Sequence, residues 1–222
     1  MDDLETSLEE TFVELKIAKN DRNAIKAFLA PLKEKSPVTK FHYMHSIRVA
    51  LLAKKIARFM HLDEKALFYA GLLHDLGKCQ VTLETLGKTG PWDKTDYSEI
   101  KVHVTEGYKT LRGRFDLTAG IILWHHRFQK NPYPAKLPKK LHKYSAGTDL
   151  LIVEYGRILA IADVFDALHR ANSKFGEARL LTGLEIKEKM LELNPDRKSL
   201  VADLYNTDIL TMYDAKTPCP GP

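Results

Sequence analysis

The stretch Leu123–Pro134, LWHHRFQKNPYP, closes the most apolar segment of the chain with two adjacent imidazoles, His125 and His126, and follows them with a Pro-rich loop. Other ionisable groups also sit on apolar helical faces. His45 begins a stripe made by Val49, Leu52, Ile56 and Phe59. His74 shares a face with Leu67 and Ala70, and Asp75 is embedded in the apolar run of GLLHDLGK. His103 lies with Ile100, Gly107 and Leu111, and Asp163 interrupts ILAIADVFDAL, a segment otherwise buried nearly all round. Each residue alone reads as a satisfied core histidine or a capping aspartate. Together they make a different demand, because an ionised carboxylate buried without a partner is strongly destabilising. A metal cation satisfies five imidazoles and two carboxylates at once, and inward-facing ligands from several helices are one way to build such a site. The donors are too many for one ion and suit two. A carboxylate such as Asp75 can bridge a pair of ions about 3.5–4 Å apart. Nitrogen-plus-carboxylate ligation favours iron, manganese, cobalt, nickel or zinc over magnesium or calcium.

The elements that must position these groups are helical. Apolar residues recur at helical spacing over 4–18, 24–32, 41–60, 63–76, 97–111, 117–125, 150–169, 183–193 and 196–205, and no stretch alternates with period two. Ser7 with Glu10 has the spacing of a capping box, although Leu4 already belongs to the periodic stretch. Asp63 is placed to cap the helix leading into HDLGK. Residues 78–96, 127–148 and the Pro-rich tail read as loops. PLKEKSP (31–37) reads as a linker, which divides the chain into an N-terminal helical appendage (1–36), a main all-α domain (37–213) and a disordered tail (214–222).

The 222 residues carry a net charge of +5, mildly suited to an anionic ligand. No apolar run reaches bilayer length, and the acidic N-terminus lacks the apolar core of a secretory signal. Two cysteines, Cys79 and Cys219, give no disulfide framework, so a cytoplasmic setting is expected. Nothing resembles a nucleic-acid recognition motif. The amphipathic stripe of Leu4, Leu8, Phe12, Leu15 and Ile17 is expected to dock on the domain, and a homodimer is its other use.

On these residues the chain resembles the HD superfamily of metal-dependent phosphohydrolases, and over roughly 40–194 its HD-GYP branch of cyclic di-GMP phosphodiesterases. HSIRVALLAKKIA, GLLHDLGK, EIKVHVTEGYKTL, IILWHHRFQKNPYP and RILAIADVFDAL stand in the family's order. The resemblance implies an HD-domain helical bundle with a dinuclear site in its core. His45, His74, Asp75 and Asp163 would hold one ion; Asp75, His103, His125 and His126 would hold the other. The ions would be iron or manganese, with cobalt, nickel and zinc as the other choices. Lys78 matches the family lysine that contacts substrate phosphate. The chain departs from the family at Arg127, where a Glu is usual, at Pro132 in place of the Gly of Gly-Tyr-Pro, and at Phe41, where some members place a third-metal Glu. It departs again in HRANSKF (169–175), where Arg-Pro-Tyr is usual. These changes fall around the substrate pocket and leave the ligand set intact.

The expected reaction is hydrolysis of a cyclic dinucleotide, cyclic di-GMP first. A bridging hydroxide would attack phosphorus in line, with the metals and Lys78 neutralising the developing charge. Asp75 and Lys78 are the expected catalytic residues. Arg127 and Tyr133 in the loop, and Arg48 beside His45, are the further expected substrate contacts. Three alternatives remain open: hydrolysis of another nucleotide or phosphate ester, oxygen activation at a di-iron site, and a non-catalytic nucleotide-binding signalling module.

Overall fold

The computed structural model describes residues 3–88, 90–139, 143–170 and 179–211. Among them there are α-helices and 3-10 turns and no strands. The helices are α1 (Asp3–Glu14), α2 (Lys19–Glu34), α3 (Pro37–Phe59), α4 (Glu64–Leu73), α5 (Leu83–Gly87), α6 (Lys94–Leu111), α7 (Asp116–Ile122), α8 (Ala146–Leu168), α9 (Gly183–Leu193) and α10 (Lys198–Asn206). A 3-10 turn, Leu76–Gln80, follows α4, and another, Pro195–Arg197, precedes α10. No helix among the described residues is long and apolar enough to cross a membrane.

Local chemistry sets the boundaries. Ser36 caps α3 through a reciprocal box with Thr39, and Pro37 occupies the first helical position, where its missing N–H costs nothing. Asp63 accepts from the Ala66 N–H at 3.0 Å and starts α4 as expected. The Ser7 capping box does not form, because α1 already includes residue 3 and Ser7 lies inside it. Pro31 does not open a linker; α2 continues through it to Glu34. The expected loop at 78–96 contains a short helix, α5, capped by Thr82. The expected tail, 214–222, lies outside the described residues.

α8 is the axis of the core. From Ile152 onward its apolar residues are buried on nearly every side, as its sequence suggested, whereas Leu150 and Leu151 before them are exposed; α3, α4, α7 and α9 pack around it. α3 and α4 approach closely at Gly71, where an added Cβ would fall 2.4 Å from the Cα of Ala50. The N-terminal helices join this same core. Leu8, Phe12, Ile25, Leu29 and Leu32 are all buried within it. Each such side chain contributes about 1.5–3 kcal/mol when removed from water, enough together to hold α1 and α2 on the domain. Glu14 of α1 adds ion pairs to Lys54 and Arg58 of α3.

Candidate metal centre

Seven side chains from five parts of the fold meet at one place. His45 comes from the third turn of α3, His74 from the C-cap of α4, and Asp75 from the residue that opens the following turn. His103 projects from α6, His125 and His126 from the turn after α7, and Asp163 from α8. Gly77 makes the assembly sterically allowed. An added Cβ there would lie 1.9 Å from the backbone oxygen of His103, so any side chain would part Asp75 from His103.

The donors form two groups. The ligand atoms of His45, His74 and Asp163 lie within 4.8 Å of one another, as do those of His103, His125 and His126. Asp75 stands between them. Its Oδ2 is 3.5 Å from His45 Nε2 and 3.3 Å from His74 Nε2, while its Oδ1 is 3.5 Å from His103 Nε2.

Hydrogen bonds made by the opposite ring nitrogens set the orientation of these imidazoles. His74 Nδ1–H donates to the Gly71 carbonyl at 2.8 Å, and His103 and His125 do the same to Ile100 and Ile122, each three residues back. His45 Nδ1–H donates to Asp166 Oδ2 at 2.6 Å. With the proton on Nδ1, each Nε2 is a lone pair. The Nε2 atoms of His45 and His74 are buried and have no hydrogen-bond partner. His45 Nε2 faces Asp163 Oδ1 at 3.2 Å, and His103 Nε2 faces His125 Nε2 at 3.5 Å. Lone pairs held against carboxylate oxygens, or against each other, repel unless a cation lies between them. That is the fit expected of a metal site.

The electrostatics agree. Burial drives His103 down to about 4 and His125 down to about 3, so both are neutral near pH 7, the form a metal ion would need. Burial would lower His74 too, but the neighbouring Asp75 and Asp163 carboxylates raise it, which shows how strongly they call for positive charge. Burial would raise Asp75, yet His74 and Lys78 hold it well below the usual carboxylate range. Asp163 is held low in the same way by His45 and His74.

Around this centre the structure shows what supports two of the candidate ligands, His45 and His126. Asp166 is fully buried and joins His45 to Arg48, whose Nε and Nη2 donate to its two oxygens at 2.6 and 3.1 Å. In sequence Asp166 reads only as a partner for some neighbour, because nothing in one helix tells which cation another helix brings. Tyr133 stacks on His126 with ring centroids 4.4 Å apart, and burial raises its phenol well above the ordinary value.

The other expected substrate contacts divide. Lys78 lines the cleft over the centre and donates to Asp75 Oδ2 at 2.6 Å, and Tyr133 lines it too. Arg48 and Arg127 are not among the described residues that line it. Arg48 is turned onto Asp166; Arg127 donates to the Pro134 carbonyl and lies over the Trp124 ring, so it braces the loop. Arg170 does line the cleft, with its guanidinium carbon 5.1 Å from the Phe41 ring centroid. Its buried Nε has no hydrogen-bond partner.

Comparison with known proteins gives a consistent lineage. The family model described as HD domain matches residues 43–168. A 3'3'-cGAMP-specific phosphodiesterase of Vibrio cholerae is 34% identical over 149 residues, covering 64% of this chain and 32% of that protein. A cyclic di-GMP phosphodiesterase of Thermotoga maritima is 31% identical over 134 residues, covering 57% of this chain and 34% of that protein. The chain thus spans about a third of the length of these relatives. The crystal structure of the HD domain of the L. monocytogenes phosphodiesterase PgpH superposes with a TM-score of 0.52 at 18% identity, covering 82% of this chain and 92% of that one, a likeness of fold.

Proposed function

This chain belongs to the HD domain family, and from that premise we propose that it is a cytosolic phosphodiesterase that opens a cyclic dinucleotide at a two-metal centre. Cyclic di-GMP and 3'3'-cGAMP are the two substrates to try first, since relatives are named for each. The observation that carries the reading is Asp75. It presents one oxygen to each histidine group while Lys78 holds an ammonium against it at the mouth of the cleft.

His45, His74 and Asp163 would hold one divalent ion and His103, His125 and His126 the other, with Asp75 shared. The mixed nitrogen and carboxylate donors favour iron or manganese. Such a pair supplies Lewis acidity and a nucleophilic water at neutral pH. The chain's own groups do the rest. Lys78 donates to a non-bridging phosphoryl oxygen and offsets the charge that builds there. The Nδ1 tethers and the Tyr133 stack keep the ligands from turning, so little reorganisation is needed at the reacting phosphorus. Water adds to phosphorus, the bond to the 3′ oxygen breaks, and that oxygen takes the proton, giving a linear dinucleotide with a 5′ phosphate.

The test is to purify the protein anaerobically, count metals per chain and follow both cyclic dinucleotides by chromatography, with Asp75→Ala as control. About two metals and a linear product, both lost in the variant, support the reading. Two metals with neither substrate cut refute it.

A further inference from the structure

The cleft over the candidate centre has a volume of about 1790 Å³, far more than one phosphodiester fills. One of its walls is formed by the segment entering α6 and the first turn of that helix, and it carries Pro91, Trp92 and Tyr97. Tyr97 is 44% exposed and Trp92 is half-buried. Their rings meet edge to face, with centroids 5.5 Å apart and planes at 64°. Trp92 is held from behind by its indole N–H, which reaches the Lys88 carbonyl at 3.5 Å.

The other aromatic rings of the cleft are already covered. Phe41 lies under Arg170, Phe128 lies under Arg157 at 5.1 Å, and Tyr133 is stacked on His126 with the Lys101 ammonium 5.9 Å from its ring. Among the described residues, no cation and no third ring covers Trp92 or Tyr97. The charges beside them point to an anion. Lys88 is answered by Asp93 and Asp96, but Lys94 and Lys101 line the same cleft without a carboxylate in salt-bridge reach among the described residues. An uncovered aromatic corner edged by two ammonium groups without a carboxylate partner, Lys94 and the Lys101 that also reaches the Tyr133 ring, opening on the proposed phosphodiesterase centre, has the chemistry of a nucleobase platform.

We propose that Trp92 and Tyr97 form the stacking platform for one purine base of the substrate, with Lys94 and Lys101 beside it for a phosphate on the ribose of that nucleotide. The inference rests on the cyclic-dinucleotide reading and adds where a base sits. It assigns binding energy to a part of the substrate remote from the bond that breaks. The bland alternative is that the two rings only pack on each other to seal the start of α6.

Tryptophan emission separates the two. The full chain is treated with chelator and titrated with cyclic di-GMP and, separately, with inorganic phosphate. Cyclic di-GMP quenches the emission saturably in the wild type, phosphate does not, and the quench is absent in Trp92→Phe. Isothermal titration calorimetry, which needs no indole at this position, reads the variants: Trp92→Phe keeps a stacking face and binds within roughly threefold of wild type, whereas Trp92→Leu binds roughly tenfold or more weakly. Circular dichroism checks that both variants are folded. The inference is overturned by any of three results: no quench, equal affinity in Trp92→Leu, or a loss in Trp92→Phe as large as in Trp92→Leu. Turnover is read separately. A chain that binds through Trp92 and cuts nothing keeps the platform and loses the phosphodiesterase reading. A chain whose Trp92→Leu variant cuts cyclic di-GMP at an unaltered KM does the reverse.

Discussion

Replacing Asp166 with Asn changes one buried oxygen to an amide nitrogen and removes one charge. The carboxylate is fully buried, accepts from His45 Nδ1 at 2.6 Å, and receives two hydrogen bonds from Arg48, whose side chain is 10% exposed. Burial opposes its charge, and the His45 and Arg48 charges overcome that and hold it well below the ordinary carboxylate range. Asn keeps one acceptor: with its oxygen in the Oδ2 position it still serves His45 and Arg48 Nη2 but turns its NH2 against Arg48 Nε, and with its oxygen in the Oδ1 position it keeps Arg48 Nε and turns its NH2 towards His45. Breaking a buried pair by removing one partner costs about 3–5 kcal/mol. The retained acceptor puts Asp166→Asn near the lower figure, which for a domain of this size lowers the melting temperature by about 6–12 °C. If the amide turns its NH2 towards His45, the imidazole moves its proton to Nε2, the atom aimed at the candidate ion. Loss of such a ligand support weakens metal binding by about 10–100-fold. Differential scanning calorimetry reads the first effect and chelator competition reads the second. Arg48→Met in the same background recovers part of the stability, because no unpaired guanidinium is left behind, but recovers none of the metal affinity. A variant that melts within about 2 °C of wild type and holds metal as tightly would refute the assignment of Asp166 as the anchor of His45.

Three further outcomes are expected. Gly77→Ala drives a Cβ into the His103 backbone oxygen and destabilises the fold by about 3 kcal/mol or more, while Gly90→Ala, with nothing within 4 Å, leaves the melting curve within about 0.5 kcal/mol. Adding Mn²⁺ to chelator-treated protein at about 100 times its dissociation constant stabilises the chain by about 2.7 kcal/mol, a rise of about 5–11 °C by differential scanning fluorimetry, and Asp75→Ala shows almost none of it. His42 is held well below its ordinary value of 6.5, by burial first and then by the Lys78 charge. Because its folded value is the depressed one, its contribution is complete above about pH 6.5 and is lost as pH falls from there towards the folded value. Metal-free protein therefore loses up to about 1.4 kcal/mol per pH unit on this account, and His42→Gln flattens that slope in urea titrations.

Much of this was legible from residue type and spacing. The helical period located nearly every helix, and Gly183–Leu193 matched end to end, because helix faces that must be buried leave a plain apolar rhythm. The seven polar residues on those faces stood out because nothing apolar explains them, and the structure brings them together. What failed were features decided between elements. Pro31 reads as a breaker but lies late in α2, where it can forgo its missing hydrogen bond while Leu29 and Leu32 bury around it. Arg48 and Arg127 read as free cations beside the site, and their partners, Asp166 and the Pro134 carbonyl, cannot be read from their own helix or loop. Nor does the sequence tell that Tyr97 stays 44% exposed, because exposure depends on what the rest of the chain leaves uncovered.

The backbone tethers on the imidazoles have a consequence for exchange kinetics. His74, His103 and His125 are each tied to a carbonyl of their own element, and the elements are pressed together at Gly71 and Gly77 with no room for a side chain. The cleft leaves the centre one open side, lined by Asp75, His103, His125, His126 and Asp163. With the rings unable to swing, an ion would leave only by that side, so a molecule filling the cleft should slow the exchange of bound metal while amide hydrogen exchange in α4 stays unchanged.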